Sequence, residues 1–287
     1  MDPGILRDAL VVALGLLTGV MSGLFGVGGA VISTPGIRAL GVPALLAVGT
    51  TLPSIIPGAA SGTARYAREG MVDWRVVAVT APVGVVAAVG GALAADHVPG
   101  EGHVLMLMTA GLLGYSAFRM LPRDEPEGSP DPAPDHDDLA ETDAEVASAF
   151  GGPDDVLVAH PTRRRPLSFL AVGVVAGGLS GLLGIGGGIV MVPGFTQFGG
   201  LPVKRAIATS LACVGLFAIP GTITHALLGN IDWRFALLLC VGVVPGARIG
   251  AALAIASGDR RLRRIVAVFL GTMALAYGIG ETLALVG

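Results

Sequence analysis

The sequence predicts an all-α polytopic membrane protein built from two homologous halves of four apolar segments each. Three observations carry this. Of 287 residues, 53% are hydrophobic and only 14% charged, where a soluble domain carries about a quarter charged residues. The apolar residues gather in eight long runs, roughly 5–33, 43–68, 74–95, 102–121, 166–198, 202–228, 233–257 and 264–286. Each run reaches about the 20 residues that a membrane-spanning helix needs, and unsatisfied backbone groups cost too much in hydrocarbon for anything but helix there. Finally, the runs fall into two sets of four that repeat each other.

The first run of each half carries the clearest repeat. Ser22-Gly23-Leu24-Phe25-Gly26-Val27-Gly28-Gly29-Ala30 returns as Ser180-Gly181-Leu182-Leu183-Gly184-Ile185-Gly186-Gly187-Gly188, with six of nine positions identical at an offset of 158. Pro35-Gly36 and Pro193-Gly194 follow at matched distance. So many glycines do not sustain a helix interior, so each first helix is expected to break here. One inserted residue then shifts the offset to 159. Thr50-Thr51-Leu52 matches Thr209-Ser210-Leu211, and Asp73-Trp74-Arg75 matches Asp232-Trp233-Arg234, which hold the only two tryptophans. Each Asp is expected to cap the third helix of its half, with Trp at the membrane interface. Small-xxx-small spacing recurs at Gly84 to Ala88 and Gly246 to Gly250, as close helix packing requires, though small residues abound throughout.

The halves are expected to be residues 1–121 and 166–287, joined by 122–165. Residues 122–160 hold twelve of the 21 acidic residues and one basic residue, Arg123. Such a Pro-rich acidic stretch is expected to be solvated and mostly disordered, with a short acidic helix over 137–149. The N-terminus lacks the basic stretch and small-residue cleavage site of a signal peptide, so the first run is expected to be retained. Cys213 and Cys240 both lie in apolar runs, which speaks against a disulfide framework.

Basic residues set the expected orientation. If every run crosses once, ten lie inside and seven outside, a poor bias by the positive-inside rule. If the first run of each half dips in and returns, fourteen lie inside and only Arg7, Arg38 and Arg234 outside. The halves are then inverted repeats with broken glycine-rich first helices, a common transporter arrangement. The linker 122–165 is placed in the cytoplasm.

Candidate binding residues follow from this geometry. At Gly26, Gly28, Gly29 and at Gly184, Gly186, Gly187, Gly188, exposed N–H groups and helix N-termini suit an anion; tight helix packing is the alternative use. The hydroxyls of Thr50, Thr51, Thr209 and Ser210 suit an oxyanion, unless they bond back to their own helix. Ser22 and Ser180 carry the same ambiguity. Arg248 lies well inside its run and is either a counter-charge for the anion or a side chain snorkelling toward the basic 260–264 loop. Cys213 follows Ser210 by about one turn and reads as a small apolar packer, or as a contact for a sulfur substrate.

Several classes find no support. A dinucleotide fingerprint needs glycine where Val31 and Ile189 stand, and no Gly-Lys-Ser/Thr of a P-loop follows. His225, His97 and His103 lack metal-ligand spacing, so neither metal nor cofactor is expected. No nucleophile–base arrangement points to an enzyme. The arginines flank apolar runs instead of forming a solvated basic face, which argues against nucleic acid. The expected partners are a small inorganic or organic anion and the lipid bilayer, and a homo-oligomer is compatible with the sequence.

The glycine block with its Pro-Gly, the Thr-Thr or Thr-Ser pair, the Asp-Trp-Arg step and the duplication together resemble the TauE/SafE family of sulfite and sulfonate exporters. The resemblance covers roughly 5–121 and 166–286. It implies a plasma-membrane carrier for small sulfur-containing anions such as sulfite or organosulfonates. An anion channel, with a pore formed by the two helix breaks, is the alternative reading. The acidic linker is longer than the family's usual join, and Arg248 does not belong to the family pattern.

Overall fold

The computed structural model describes residues 3–95, 110–111, 114–115, 117–118, 166–183 and 187–286. The acidic linker, His97, His103, most of the run 102–121, and Gly184 and Gly186 lie outside the described residues. Among the described residues the chain is all-helical, with no strands.

Four helices come from the first half: α1 (Pro3–Phe25), α2 (Ala30–Ala39), α3 (Ala44–Arg68) and α4 (Trp74–Ala95). Four come from the second in the same order: α5 (Pro166–Leu183), α6 (Gly188–Gln197), α7 (Val203–Leu227) and α8 (Trp233–Ala256). A ninth, α9 (Asp259–Val286), follows. Both first runs are therefore broken at their glycine blocks. In the first half the cause is visible in the backbone. Gly26, Gly28 and Gly29 take φ of +69°, +87° and +82°, a left-handed conformation that a helix cannot continue through and that only glycine adopts cheaply. Gly29 and its counterpart Gly187 both stand as left-handed N-caps, of α2 and α6.

Of the eight expected runs, the fourth, 102–121, lies mostly outside the described residues. Among the described residues, four are long and apolar enough to cross a membrane: Gly4–Phe25, Trp74–Gly91, Val203–Leu227 and Trp233–Ala256. The glycine breaks shorten the first runs, so that α2 and α6 keep only 10 residues each, about 15 Å of helix. The apolar parts of α5 and α9 span Leu167–Leu182 and Arg264–Ala276. α3 is 25 residues long but diluted with Thr, Ser, Gly and Pro.

The helices belong to one compact unit, Met1–Leu121 with Arg165–Gly287. Glycines set how they pack. A Cβ on Gly15, Gly19 or Gly23 of α1 would stand 2.6, 2.4 and 2.3 Å from the carbonyls of Leu239, Val243 and Ala247 on α8. From α8, a Cβ on Gly242, Gly246 or Gly250 would meet the carbonyls of Val12, Leu16 and Val20 just as closely. Residues four apart share one helix face, so two glycine stripes face each other and the backbones touch. Both series ascend together, so α1 and α8 run parallel. α5 runs parallel to α4 in the same manner, with Gly173 against Thr80 and Gly177 against Gly84. In the centre α3 and α7 run antiparallel, with Leu52 beside Gly221, Ala59 beside Gly215, and Gly62 beside Leu211. Each half thus lends its first helix to the fourth helix of the other half.

α1 and α2 form a hairpin. Gly29 lies against Thr18, Gly36 against Leu14, and Arg7 Nη2 donates to Leu40 O at 2.9 Å. The chain enters and leaves the hairpin at the same end of the bundle. These directions place Arg65, Arg68, Arg75, Lys204, Arg205, Arg261 and Arg264 at one end, where Lys204 Nζ donates to Ile255 O at 3.1 Å. Arg7, Arg38 and Arg234 lie at the other end, where Arg234 pairs with Asp8 at 2.6 Å. Trp74 and Trp233 are exposed at the starts of α4 and α8, as interface anchors are.

Candidate functional site

Two glycine breaks from opposite halves meet inside the bundle. A Cβ on Gly188, at the start of α6, would stand 2.2 Å from Gly26 O and 2.7 Å from Val27 Cα. Ser210 Oγ of α7 donates to the same Gly26 carbonyl at 2.8 Å. Gly26, Gly28, Gly29, Gly187 and Gly188 are all buried, as are Thr50, Thr51, Thr209 and Ser210.

The first break leaves backbone donors open. Gly26 N–H bonds Ser22 O, while the N–H groups of Ile32 and Ser33 both turn to Gly29 O. Among the described residues, no partner is found for the N–H groups of Gly28, Gly29 and Ala30. Thr18 Oγ1, on the face of α1 beside Gly29, is also buried without a partner. Buried donors without partners are rare and costly, roughly 1–3 kcal/mol each. These sit at the N-terminus of α2, where the helix dipole adds about half a positive charge. The second break repeats the local pattern, with Val190 N–H and Met191 N–H both on Gly187 O. Open N–H groups at a helix N-terminus favour a negatively charged acceptor.

Hydroxyls expected to face the anion have protein partners. Thr51 Oγ1 donates to Val48 O at 3.0 Å, its own helix, and lies 3.2 Å from Thr34 Oγ1. Thr50 Oγ1 accepts the N–H of Asp232 at 2.9 Å, and Thr209 Oγ1 accepts that of Asp73 at 3.1 Å. Each Asp also caps its helix, with Oδ1 accepting from Val76 N–H or Phe235 N–H at 3.2 Å, as the sequence leads one to expect.

Arg248 does not join the others. It is exposed on α8, with Pro245, Ile249 and Leu253, while Gly242, Gly246 and Gly250 turn to α1 and Val243 and Ala247 to α3. Cys213 is fully buried in the apolar core, in keeping with its reading as a packer. Two grooves among the described residues lie away from the breaks. One of about 550 Å³ between α4 and α7 is lined by Val77, Pro82, Leu216 and Ile223 among others. Its lining is almost wholly apolar, unlike the open donors at the first break.

Several residues of the site escape sequence reading. Val214 stands between the breaks, its Cγ1 2.4 Å from a Cβ on Gly28 and its Cγ2 3.0 Å from one on Gly188. Its repeat partner at offset 159, Ile55, approaches Gly28 too. The repeat alignment pairs them, but nothing in two apolar residues singles them out. Tyr66, fully buried, donates its hydroxyl to Gly23 O at 2.7 Å. Gly23 lies in the last turn of α1, where carbonyls lose their helical partners, so Tyr66 fixes the entry to the break. Tyr66→Phe is expected to lower stability by about 1–3 kcal/mol, read as a drop in melting temperature in detergent. An unchanged melting temperature would show that this bond contributes nothing.

Comparison with known proteins bears directly on this site. The family model described as sulfite exporter TauE/SafE matches residues 11–277, across both breaks. The chain belongs to the TauE/SafE family. Relatives of this TauE/SafE chain include two proteins of Xylella fastidiosa, each named "Probable membrane transporter protein". That of strain 9a5c is 27% identical over 86% of this chain and 85% of its own length. That of strain Temecula1 is 26% identical over 93% and 94%. The Bacillus subtilis "Probable membrane transporter protein YunE" is 34% identical, over 38% of this chain and 41% of its own length. No solved structure matches. Family membership and the apolar helices together make this TauE/SafE chain a multi-pass membrane protein.

Proposed function

We propose that the protein is a secondary transporter that exports small sulfur-containing oxyanions, such as sulfite or organosulfonates, across the plasma membrane by alternating access. The buried, unpartnered N–H groups of Gly28, Gly29 and Ala30, where the two breaks meet, carry the reading. An oxyanion supplies the acceptors they lack, and its charge suits the N-terminus of α2. The substrate class rests on the family.

The halves are inverted repeats in this reading. Support comes from α3 and α7, repeat partners that run antiparallel, and from α1 and α5, which align with oppositely directed α8 and α4. The end rich in Arg and Lys faces the cytoplasm by the positive-inside rule, and the linker with it. With the cytoplasm negative, anion exit gains about 2.3 kcal/mol per charge per 100 mV. A carrier is favoured over a channel because the breaks pack closely against each other. Gly188 abuts Gly26 O, and Val214 stands between Gly28 and Gly188, a close packing that suits a carrier better than an open pore.

Purified protein in liposomes loaded with sulfite, a taurine-like sulfonate, sulfate or chloride tests this. The expected result is saturable sulfite or sulfonate flux with counterflow. Flux of none of the four overturns the anion reading, and non-saturating flux without counterflow favours the channel.

A further inference from the structure

We infer that Thr50 and Thr209 are positioning residues that latch the two ends of the transporter shut, each by completing a helix cap in the opposite half. In a capping box the N-cap side chain bonds the N3 N–H, and a Glu or Gln at N3 reaches back to the N-cap N–H. Here half of the box is present twice. Asp73 Oδ1 accepts from Val76 N–H, and Asp232 Oδ1 accepts from Phe235 N–H. Val and Phe at N3 have no acceptor to return. The N-cap N–H of Asp232 goes instead to Thr50 Oγ1 on α3, 182 positions away. That of Asp73 goes to Thr209 Oγ1 on α7, 136 positions away. Both hydroxyls are fully buried.

These bonds are placed where alternating access needs control. Thr209 lies near the start of α7 and holds the start of α4, at the end with Arg75, Lys204 and Arg205. Thr50 lies near the start of α3 and holds the start of α8, at the end with Arg7 and Arg234. Both bonds are made in this structure, and in the proposed latch each holds its own end shut. Opening one end requires α7 to part from the start of α4, and opening the other requires α3 to part from the start of α8. One bond breaks while the other holds. The two threonines therefore do the same job at opposite ends, and the duplicated sequence supplies one to each.

The assignment rests on the alternating-access reading, and its test needs no substrate. Ala47 and Ala206 are repeat partners, both fully buried, three residues before Thr50 and Thr209 on the same helix faces. Ala47→Cys and Ala206→Cys, each in a Cys213→Ala/Cys240→Ala background, report on the two ends in purified protein by their rates of maleimide labelling. Thr209→Val is expected to raise labelling at position 206 about fivefold and leave position 47 unchanged. That is the factor for a hydrogen bond worth about 1 kcal/mol. Thr50→Val is expected to do the reverse, and Ser at either position to restore the parent rates. Equal increases at both ends, no increase, or failure of Ser to restore the rates overturns the latch. If a Val variant does not fold, the Ser and Ala series at the same positions gives the same comparison. Labelling as expected in a protein that moves no anion refutes the transport reading and leaves the latch standing.

Discussion

Gly188→Ala is expected to abolish sulfite or sulfonate flux in liposomes while the protein still inserts in the membrane. Gly188 opens α6, so its backbone is helical and alanine is the better helix former. Conformation cannot explain a loss. The new methyl would stand 2.2 Å from Gly26 O and 2.7 Å from Val27 Cα, backbone atoms that have no rotamer to change. Overpacking of this kind costs roughly 1–3 kcal/mol or more, and relief requires the two breaks to separate. Gly200→Ala is the opposite case. Its φ is +65°, but nothing lies within 4 Å of the added carbon. Roughly 1–2 kcal/mol of backbone strain is expected there, with flux retained. Wild-type flux in Gly188→Ala would sink the idea that contact between the breaks builds the site. Gly28→Leu combines both penalties, since its φ is +87° and Val214 Cγ1 lies 2.4 Å from the added Cβ.

Gly19→Leu is expected to disrupt assembly, with α1 inserted but no longer docked on α8. The added Cβ alone would lie 2.4 Å from Val243 O and 2.8 Å from Ala247 N. No rotamer avoids a clash that begins at Cβ, so the whole stripe of Gly15, Gly19 and Gly23 must lift away. The expected readout is loss of a cooperative melting transition in detergent, together with rapid proteolysis of the hairpin. Gly177→Leu should act alike at the matching contact of α5, where a Cβ would lie 2.1 Å from Gly84 O. Gly90→Ala on α4, with open space around it, is expected to be neutral or to stabilise by about 0.5–1 kcal/mol. If Gly19→Leu melts like the parent, the glycine stripe does not hold the helices together.

What sequence reading reached and missed divides along a physical line. Helix breaks at Gly26 to Gly29 and before Gly188, and caps at Asp73 and Asp232, are local events set by glycine conformation and short hydrogen bonds. They were legible for that reason. Partner choice was not. Nothing near Thr50 in the chain announces that its hydroxyl serves Asp232, and a threonine in an apolar run reads equally as ligand or as self-bonded. Gly246 and Gly250 had the right spacing for packing, but in a chain with 45 glycines spacing alone does not say against which helix. Arg248 shows the limit from the other side. Its depth in the run was correct, while the face of α8 on which it sits depends on where α1 and α3 dock. Val214 and Tyr66 gain their roles only from what lies opposite them.

The crossed pairing of α1 with α8 and α5 with α4 also constrains how the chain is made. Gly19 waits for Gly246, which leaves the ribosome more than two hundred residues later, on the order of ten seconds or more at ordinary synthesis rates. Until then the glycine stripe of α1 lacks the helix it packs on. High contact order of this kind makes assembly slow. Each half also lacks, on its own, the partner helices its first and fourth helices pack on. A chain cut within 122–165 has the parts of a heterodimer, and each fragment should be unstable until the other is present.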